Sequence, residues 1–324
     1  MDTNGPGAAA RRWEGRGKAK GNEGELAEGV SDDSRVAPSA TSHVFREESR
    51  SDQPARGVCA WTNPAHPFPP MPTLSLLVLI LATAAVAGGA VVAEADELVR
   101  AARQAEETLD TRKALALLEE ADRLRPEDPR ILQRLARQHS DLINELATET
   151  EKRASIERAL GYARRAAALA PNDAECVLSV AICVGKLAVF SGTRDKVRLS
   201  RAMHAEAERA LALDPGYAWA HHIMGRWHHE VAELGTTARW FVKLFYGGLP
   251  GASNAEAIRH LERAAELDPG QLKHHLELGF AYRAAGREAD ARTAFSRGLA
   301  MPSREKHDES AKARARAALA GAGS

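Results

Sequence analysis

The sequence of 324 residues predicts an all-α protein, a right-handed solenoid of about five helix pairs preceded by one hydrophobic helix and a disordered N-terminus. Two observations predict this fold. After residue 93, small and apolar residues recur at helical spacing, and each such stretch ends in a proline. These prolines follow one another at comparable intervals, which indicates an internal structural repeat.

Residues 1–73 combine glycine, serine, proline and charged residues with few large apolar side chains. Such a segment cannot bury enough apolar surface to offset the entropy lost on ordering, so it is predicted to be disordered. Met71 directly precedes the first apolar stretch. A start of translation at this methionine, which would leave residues 1–70 untranslated, is an alternative interpretation.

Residues 74–93 contain no charged side chain. As a helix with a rise of about 1.5 Å per residue, they would span about 30 Å, the thickness of a hydrocarbon core, so they are predicted to form a transmembrane helix. The basic residues from Arg100 to Lys113 place the C-terminal side in the cytosol. The sequence Ala85-Val86-Ala87 also fits a signal cleavage site, so a cleaved secretory signal and a buried apolar helix are the two alternatives.

The repeat is defined by prolines that close five helical stretches at intervals of 45, 44, 54 and 33 residues: Pro126, Pro171, Pro215, Pro269 and Pro302. A helical hairpin of about 34 residues that ends in proline is typical of the tetratricopeptide repeat. Counted back from the prolines, the repeat windows begin near Ala95, Pro129, Ala174, Ala218 and Leu272. A repeat domain is therefore predicted for residues 94–302, followed by a capping helix and tail at 303–324.

Small residues at fixed positions of the windows support this assignment. Gly225 and Gly279 lie where the consensus needs a small residue, because the two helices of a pair approach closely there. Alanine is expected at the start of the second helix, and Met203 departs from this rule. The middle windows exceed the consensus by about 10 to 20 residues, which predicts lengthened helices or loops.

Composition and spacing exclude several chemistries. With 44 Lys+Arg and 44 Asp+Glu, the chain lacks the basic surplus of a general nucleic-acid binder. Three cysteines without a CxxC pair predict neither a disulfide framework nor a zinc site. The pairs His221/His228 and His222/His229 are two helical turns apart, too far to bind one ion. Since no nucleophile or acid–base motif is recognisable, a non-enzymatic protein without metal or cofactor is predicted.

The concave face of such a solenoid is lined by one stripe of each first helix and is its usual binding surface. The windows assign this candidate partner-binding groove to Arg130, Arg137, Trp219, His222, Arg226, His229, Lys273, Phe280 and Arg283. The arginine and lysine side chains make the predicted groove mildly basic. Such a lining suits an acidic peptide, a C-terminal carboxylate or a phosphate head group.

The fourth window carries an aromatic-rich insertion at residues 234–254. At helical spacing, Trp240, Phe241, Leu244 and Phe245 form an apolar stripe. Three interpretations are open: the helix packs on the repeat array, its aromatics wall a pocket for a ligand or partner, or it makes shallow contact with a membrane.

Three features mark the region from His221 to Pro302. They are the helix with Gly225-Arg226-Trp227, the pair Leu249-Pro250 that closes the insertion, and the ending Leu299-Ala300-Met301-Pro302, one residue shorter than the standard repeat. In these features residues 150–305 resemble the regulator of microtubule dynamics family.

The resemblance implies an adaptor on mitochondria, endoplasmic reticulum or microtubules, with lipid binding by the repeat domain in a relative. Some relatives also place a membrane helix ahead of a cytosolic repeat domain. Phe45 and Phe68 stand alone, without the acidic-flanked two-phenylalanine motif of organelle contacts, so organelle tethering is not implied.

Together, the residues and the resemblance predict a membrane-anchored scaffold whose cytosolic repeat domain binds protein partners, tubulin or microtubules among them, in the basic groove. The expected location is the mitochondrial outer membrane, the endoplasmic reticulum or microtubules. A module that binds or transfers phospholipid through the insertion is the first alternative. A repeat protein secreted after cleavage of the hydrophobic segment is the second.

Overall fold

The computed structural model describes residues 91–321, which consist of α-helices without a β-strand. The helices are α1 (91–107), α2 (Thr111–Leu124), α3 (Pro129–Leu142), α4 (Glu149–Leu169), α5 (Ala174–Val189), α6 (Thr193–Leu213), α7 (Ala218–Ala232), α8 (Thr236–Tyr246), α9 (Asn254–Leu267), α10 (Leu272–Ala284), α11 (Glu288–Ala300) and α12 (Asp308–Gly321). The predicted disordered region and residues 74–90 of the predicted membrane segment lie outside the described residues. Within 91–321, no helix combines the length and apolar character needed to cross a bilayer.

The helices form five pairs: α1/α2, α3/α4, α5/α6, α7/α9 and α10/α11. The second helix of each pair also contacts the first helix of the next pair, so that neighbouring pairs share one apolar core. The first helices α3, α5, α7 and α10 contact one another in succession and form one continuous layer. This arrangement confirms the predicted tetratricopeptide-type solenoid.

The helix boundaries follow the signals in the sequence. Four first helices begin at the predicted starts of their windows, Pro129, Ala174, Ala218 and Leu272. Asp128 and Asp173 cap α3 and α5 by accepting hydrogen bonds from the first backbone N–H groups. All five second helices end two residues before a closing proline, because proline disfavours helical conformation in the residue that precedes it.

The consensus glycines lie at close helix contacts, as predicted. A Cβ atom on Gly225 of α7 would lie 2.5 Å from Cγ of Leu261 on α9. A Cβ atom on Gly279 of α10 would lie 2.6 Å from the ring of Phe295 on α11. Both distances are shorter than real carbon–carbon contacts, so only glycine fits these positions without a shift of the neighbouring helix.

Longer helices account for the extra residues of the middle windows. Both α4 and α6 have 21 residues, which confirms lengthened helices in the second and third pairs. In the fourth pair, the insertion forms the separate helix α8 of 11 residues. Where Met203 departs from the alanine rule, its Sδ faces Gly185 of α5, so a larger side chain on one helix is matched by a glycine on the other.

Candidate functional site

The predicted groove receives a segment of the chain's own C-terminal region. Residues 304–308, here called the clasp, connect the end of α11 with α12 and contact α3 and α10. The Asp308 carboxylate is buried and accepts hydrogen bonds at 2.8 Å from the backbone N–H groups of both Arg304 and Glu305. These bonds hold the clasp in a tight turn at the start of α12.

Glu305 of the clasp brings together two of the predicted groove cations. Lys273 Nζ on α10 donates a hydrogen bond to Glu305 Oε2 at 2.5 Å and lies 3.3 Å from Asp308 Oδ1. Arg137 on α3 lies 3.5 Å from Oε1 of Glu305. Because the Lys273 side chain is only 15% exposed, its charge-assisted bond is screened less than a surface ion pair. The Lys273 ammonium also lies 5.8 Å from the ring centroid of Trp219 on α7.

The other end of the clasp reaches the first two helix pairs. Lys306 Nζ donates to the carbonyl oxygen of Leu109 at 3.0 Å and to Glu145 Oε1 at 2.6 Å. Leu109 has a φ of 59°, a left-handed conformation that is costly for leucine, and this contact helps to fix it. His307 Nε2 lies 3.0 Å from Asp141 Oδ1. Burial alone would raise the pKa of Asp141, but the hydrogen bond from His307 and nearby positive charges hold it well below its usual range.

Helix α12 covers the groove residues near the end of the array. Glu277 is buried between Arg226 Nε at 3.9 Å and Arg314 Nη1 of α12 at 3.1 Å. Burial alone would raise the pKa of Glu277, but the charges of these two arginines lower it. Arg283 donates at 2.7 Å to a backbone carbonyl of α12, and the Arg314 guanidinium stacks on Phe280 at 4.6 Å.

His222 contributes to the packing of α7 on α10 and is not part of an exposed lining. Its Nδ1 lies 3.0 Å from Nδ1 of His274, and both rings are buried. Trp219 packs edge-on against the two rings, with centroid distances of 4.9 and 5.0 Å. Burial lowers the pKa of both histidines, that of His274 to about 3, so both are neutral at pH 7. His229, the predicted groove residue two helical turns after His222, is half-buried.

Most of the positive charge predicted for the groove is thus compensated by groups of the chain itself. Arg137, Arg226 and Lys273 face carboxylates, and Arg283 faces a carbonyl. Arg130 is exposed on α3 and forms no ion pair with another residue of 91–321. The prediction of a capping helix and tail for residues 303–324 does not include the clasp, for which Glu305 and Asp308, acidic residues in a chain with a predicted basic groove, are the signal in the sequence.

The apolar stripe of the insertion lies on the surface. Trp240, Phe241, Leu244 and Phe245 are between 42% and 62% exposed, whereas Val242 faces the array and is buried. The helix itself contacts α6 of the array, but these four side chains remain exposed. Val242 is the buried residue of this short helix, and the aromatic residues lie on its other sides, in contact with solvent.

Helix α8 is nevertheless held in place. Arg201 of α6 donates to the carbonyl oxygens of Tyr246 and Gly248, the second at 2.7 Å from Nε. Gly247, with a φ of 74°, ends the helix in the left-handed conformation common after helix C-termini. Arg239 and Lys243 of α8 form no ion pair within the described residues. The helix thus presents aromatic residues and two uncompensated cations on an anchored support.

Comparison with known proteins relates the chain to a family. A family model described as Regulator of microtubule dynamics protein 1-3 matches residues 91–323 of the chain. The chain belongs to this family. Regulator of microtubule dynamics protein 1 of Bos taurus is 32% identical over 197 residues, which cover 60% of this chain and 61% of the bovine protein. Regulator of microtubule dynamics protein 3 of Xenopus laevis is 30% identical over 142 residues, 44% of this chain and 31% of the frog protein.

The chain therefore spans less than two thirds of the length of these relatives. Among solved structures, that of a thermophilic TPR protein of Thermus thermophilus superposes with a TM-score of 0.53 at 18% sequence identity. The match covers 69% of this chain and 98% of the bacterial protein. At this identity the similarity concerns the fold alone. The family membership confirms the resemblance inferred from the sequence.

Proposed function

We propose that the chain is a non-enzymatic interaction scaffold that docks a protein partner on the exposed face of α8, and that this partner is polymerised tubulin. The names of the relatives support a role in microtubule dynamics. The single observation that carries the choice of surface is the exposure of Trp240, Phe241, Leu244 and Phe245 on one anchored helix. Large aromatic residues dominate the binding energy of protein interfaces, and the neighbouring cations suit an acidic protein surface.

Co-sedimentation of the chain with polymerised tubulin at low and physiological salt tests this proposal. The double variant Trp240→Ser and Phe245→Ser should bind at least about 30-fold more weakly, since hot-spot aromatics contribute about 2 kcal/mol or more. The variant should stay folded, because both side chains are more than half exposed. Val189→Ser on α5, which removes another exposed apolar side chain, is the matched control and should bind like the wild type. Equal pelleting of all three proteins would contradict the proposal.

The groove is proposed as a second docking surface, for an acidic segment of a partner. Its cations already bind carboxylates, those of Glu305 and Asp308. A partner would have to displace the clasp, so Glu305→Gln should increase the affinity for a fluorescent glutamate-rich peptide in a polarisation assay. Arg137→Gln, which removes a cation from the groove, should decrease it. An unchanged affinity in both variants would exclude the groove as the binding site.

A phospholipid surface is the second candidate for α8. A helix with exposed tryptophan and phenylalanine beside Arg239 and Lys243 has the composition of an interfacial membrane helix. Flotation with vesicles that contain anionic phospholipid distinguishes the two functions. Vesicle binding that the double variant loses, together with no pelleting on microtubules, would assign α8 to lipid.

We further propose that residues 74–93 anchor the chain in a membrane, with the repeat domain in the cytosol at the mitochondrial outer membrane or endoplasmic reticulum. The uncharged length of the segment and the basic residues that follow it support this topology. Mass spectrometry of the mature N-terminus is the test. A chain that starts at Gly88 or Glu94 would instead support signal cleavage and secretion.

A further inference from the structure

Three side chains that can bind a metal ion meet between α7 and α9, outside the surfaces described above. They are His228 of α7 and, one turn apart on α9, Glu256 and His260. One ligand atom of each lies within 4.8 Å of the ligand atoms of the other two. Both histidines are buried and Glu256 is half-buried, so a cation held here would be shielded from most of the solvent.

The hydrogen bonds around His260 leave one of its nitrogens unprotonated and able to accept. His221 Nε2 lies 3.1 Å from the carbonyl oxygen of Pro215, which can only accept, so His221 carries its proton on Nε2. His221 Nδ1 is then an acceptor, and His260 Nδ1, 2.9 Å away, must be the donor. The proton of His260 is thereby placed on Nδ1 and Nε2 is unprotonated. A hydrogen bond that fixes the tautomer and orientation of a ligand histidine is the usual outer-shell arrangement of metal sites.

A cation of the chain already occupies the space between two of the three ligands. Nη2 of Arg259 lies 2.5 Å from Glu256 Oε2 and 3.1 Å from His260 Nε2. The Arg259 side chain is 60% exposed and can swing away into solvent at little cost. On the other side, His228 Nδ1 is buried and has no hydrogen-bond partner within the described residues. The site thus attracts positive charge and contains an unsatisfied imidazole nitrogen.

The hydrogen bonds leave these side chains in the state that a metal ion needs. Metal binding requires neutral imidazole and ionised carboxylate. His260 holds its one proton on Nδ1, so that Nε2 is an acceptor, and Glu256 forms an ion pair with Arg259.

We propose that His228, Glu256 and His260 form a binding site for a divalent transition-metal ion of the zinc class, with Arg259 as the group that the ion displaces. Two imidazoles and one carboxylate are a donor set found in protein zinc sites, where a water or another ligand takes the fourth position. Imidazole favours zinc and its neighbours over magnesium or calcium, which prefer oxygen ligands. A bound ion requires the ligand atoms to approach one another from separations of up to 4.8 Å, through rotation of the half-buried Glu256 side chain and adjustment of both histidine rings.

The test uses the full chain, purified without a polyhistidine tag and titrated with Zn²⁺ by calorimetry and with Co²⁺ by visible absorption. One saturable site with the absorption of four-coordinate Co²⁺ is expected. Glu256→Gln, which keeps the shape of the side chain, and His260→Asn should each weaken binding roughly 100-fold or more, and His221→Ala by about 10- to 100-fold. Arg259→Ala should bind the ion more tightly than the wild type, because it removes the competing cation.

His229→Ala, which lies on α7 beside His228 but outside the cluster, is the matched control and should leave binding unchanged. The tighter ion binding expected for Arg259→Ala tests the proposal even if one of the ligand variants folds poorly. Two results would overturn it: the same affinity in wild type and Glu256→Gln, or no saturable binding of Zn²⁺ by Arg259→Ala.

Discussion

Alanine should have opposite effects on stability at two helical glycines, Gly225 and Gly161. In α7, the new Cβ at Gly225 would lie 2.5 Å from Cγ of the fully buried Leu261 and 3.0 Å from the carbonyl oxygen of Ala257. Overpacking of this kind costs about 1–3 kcal/mol, and a branched carbon and a backbone atom that cannot move aside place it near 3 kcal/mol. Alanine regains about 1 kcal/mol of helix propensity, so a net destabilisation of about 2 kcal/mol is expected.

Gly161 of α4 is the control. A Cβ atom there meets no other atom within 4 Å, so Gly161→Ala retains only the propensity gain and should stabilise the protein by about 1 kcal/mol. Urea unfolding followed by circular dichroism measures both changes as shifts of the midpoint at constant slope. If Gly225→Ala proved as stable as Gly161→Ala, the contact between α7 and α9 would have room for a Cβ atom and the reasoning would be refuted.

Two further predictions concern charge. The folded protein keeps His274 neutral to about pH 3, whereas the unfolded chain protonates it below about pH 6.5, so this residue alone should lower the free energy of unfolding by roughly 2 kcal/mol between pH 7 and 5. Because other buried histidines, His222 and His260 among them, also have lowered pKa values, His274→Asn should reduce this dependence without abolishing it in urea titrations at each pH. An unchanged slope would contradict the assignment. Glu305→Gln should lower the free energy of unfolding by about 1.5–3 kcal/mol through its bonds to Lys273, whereas Glu157→Gln, in an exposed pair with Arg153, should cost under about 1 kcal/mol. Equal losses of unfolding free energy in the two variants would contradict a stabilising contact between Glu305 and Lys273.

The helical array could be predicted from the sequence because its determinants are local. Each second helix ends two residues before its closing proline, and the aspartate before α3 and α5 accepts hydrogen bonds from backbone groups of the first turn. Gly225 and Gly279 report a contact within one helix pair. These features depend on adjacent residues or on the packing of the two helices within one pair.

The candidate surfaces depend on contacts that no local pattern specifies. Glu305 comes from a distant part of the chain and pairs with Arg137. Its carboxylate compensates positive charge that the stripe of groove residues alone predicts to be free. Trp240 is exposed because α8 faces the array with Val242, and the composition of α8 does not predict which side of the helix is buried. The spacing of Glu256 and His260 on one helix face is a signal for the proposed metal ligands, but their contact with His228 depends on the packing of α7 against α9.

The clasp also changes how this array is expected to fold. In an open repeat protein each unit contacts only its neighbours, so the ends can fray independently and structure can spread from any unit. Here Lys306 bonds to Leu109, 197 residues earlier, and His307 reaches Asp141, 166 residues earlier. The first pair cannot open without releasing the clasp, which couples the two ends of the array. Closing so long a loop costs entropy that only the assembled repeats can offset, so this junction forms late and makes unfolding more cooperative than in a linear array.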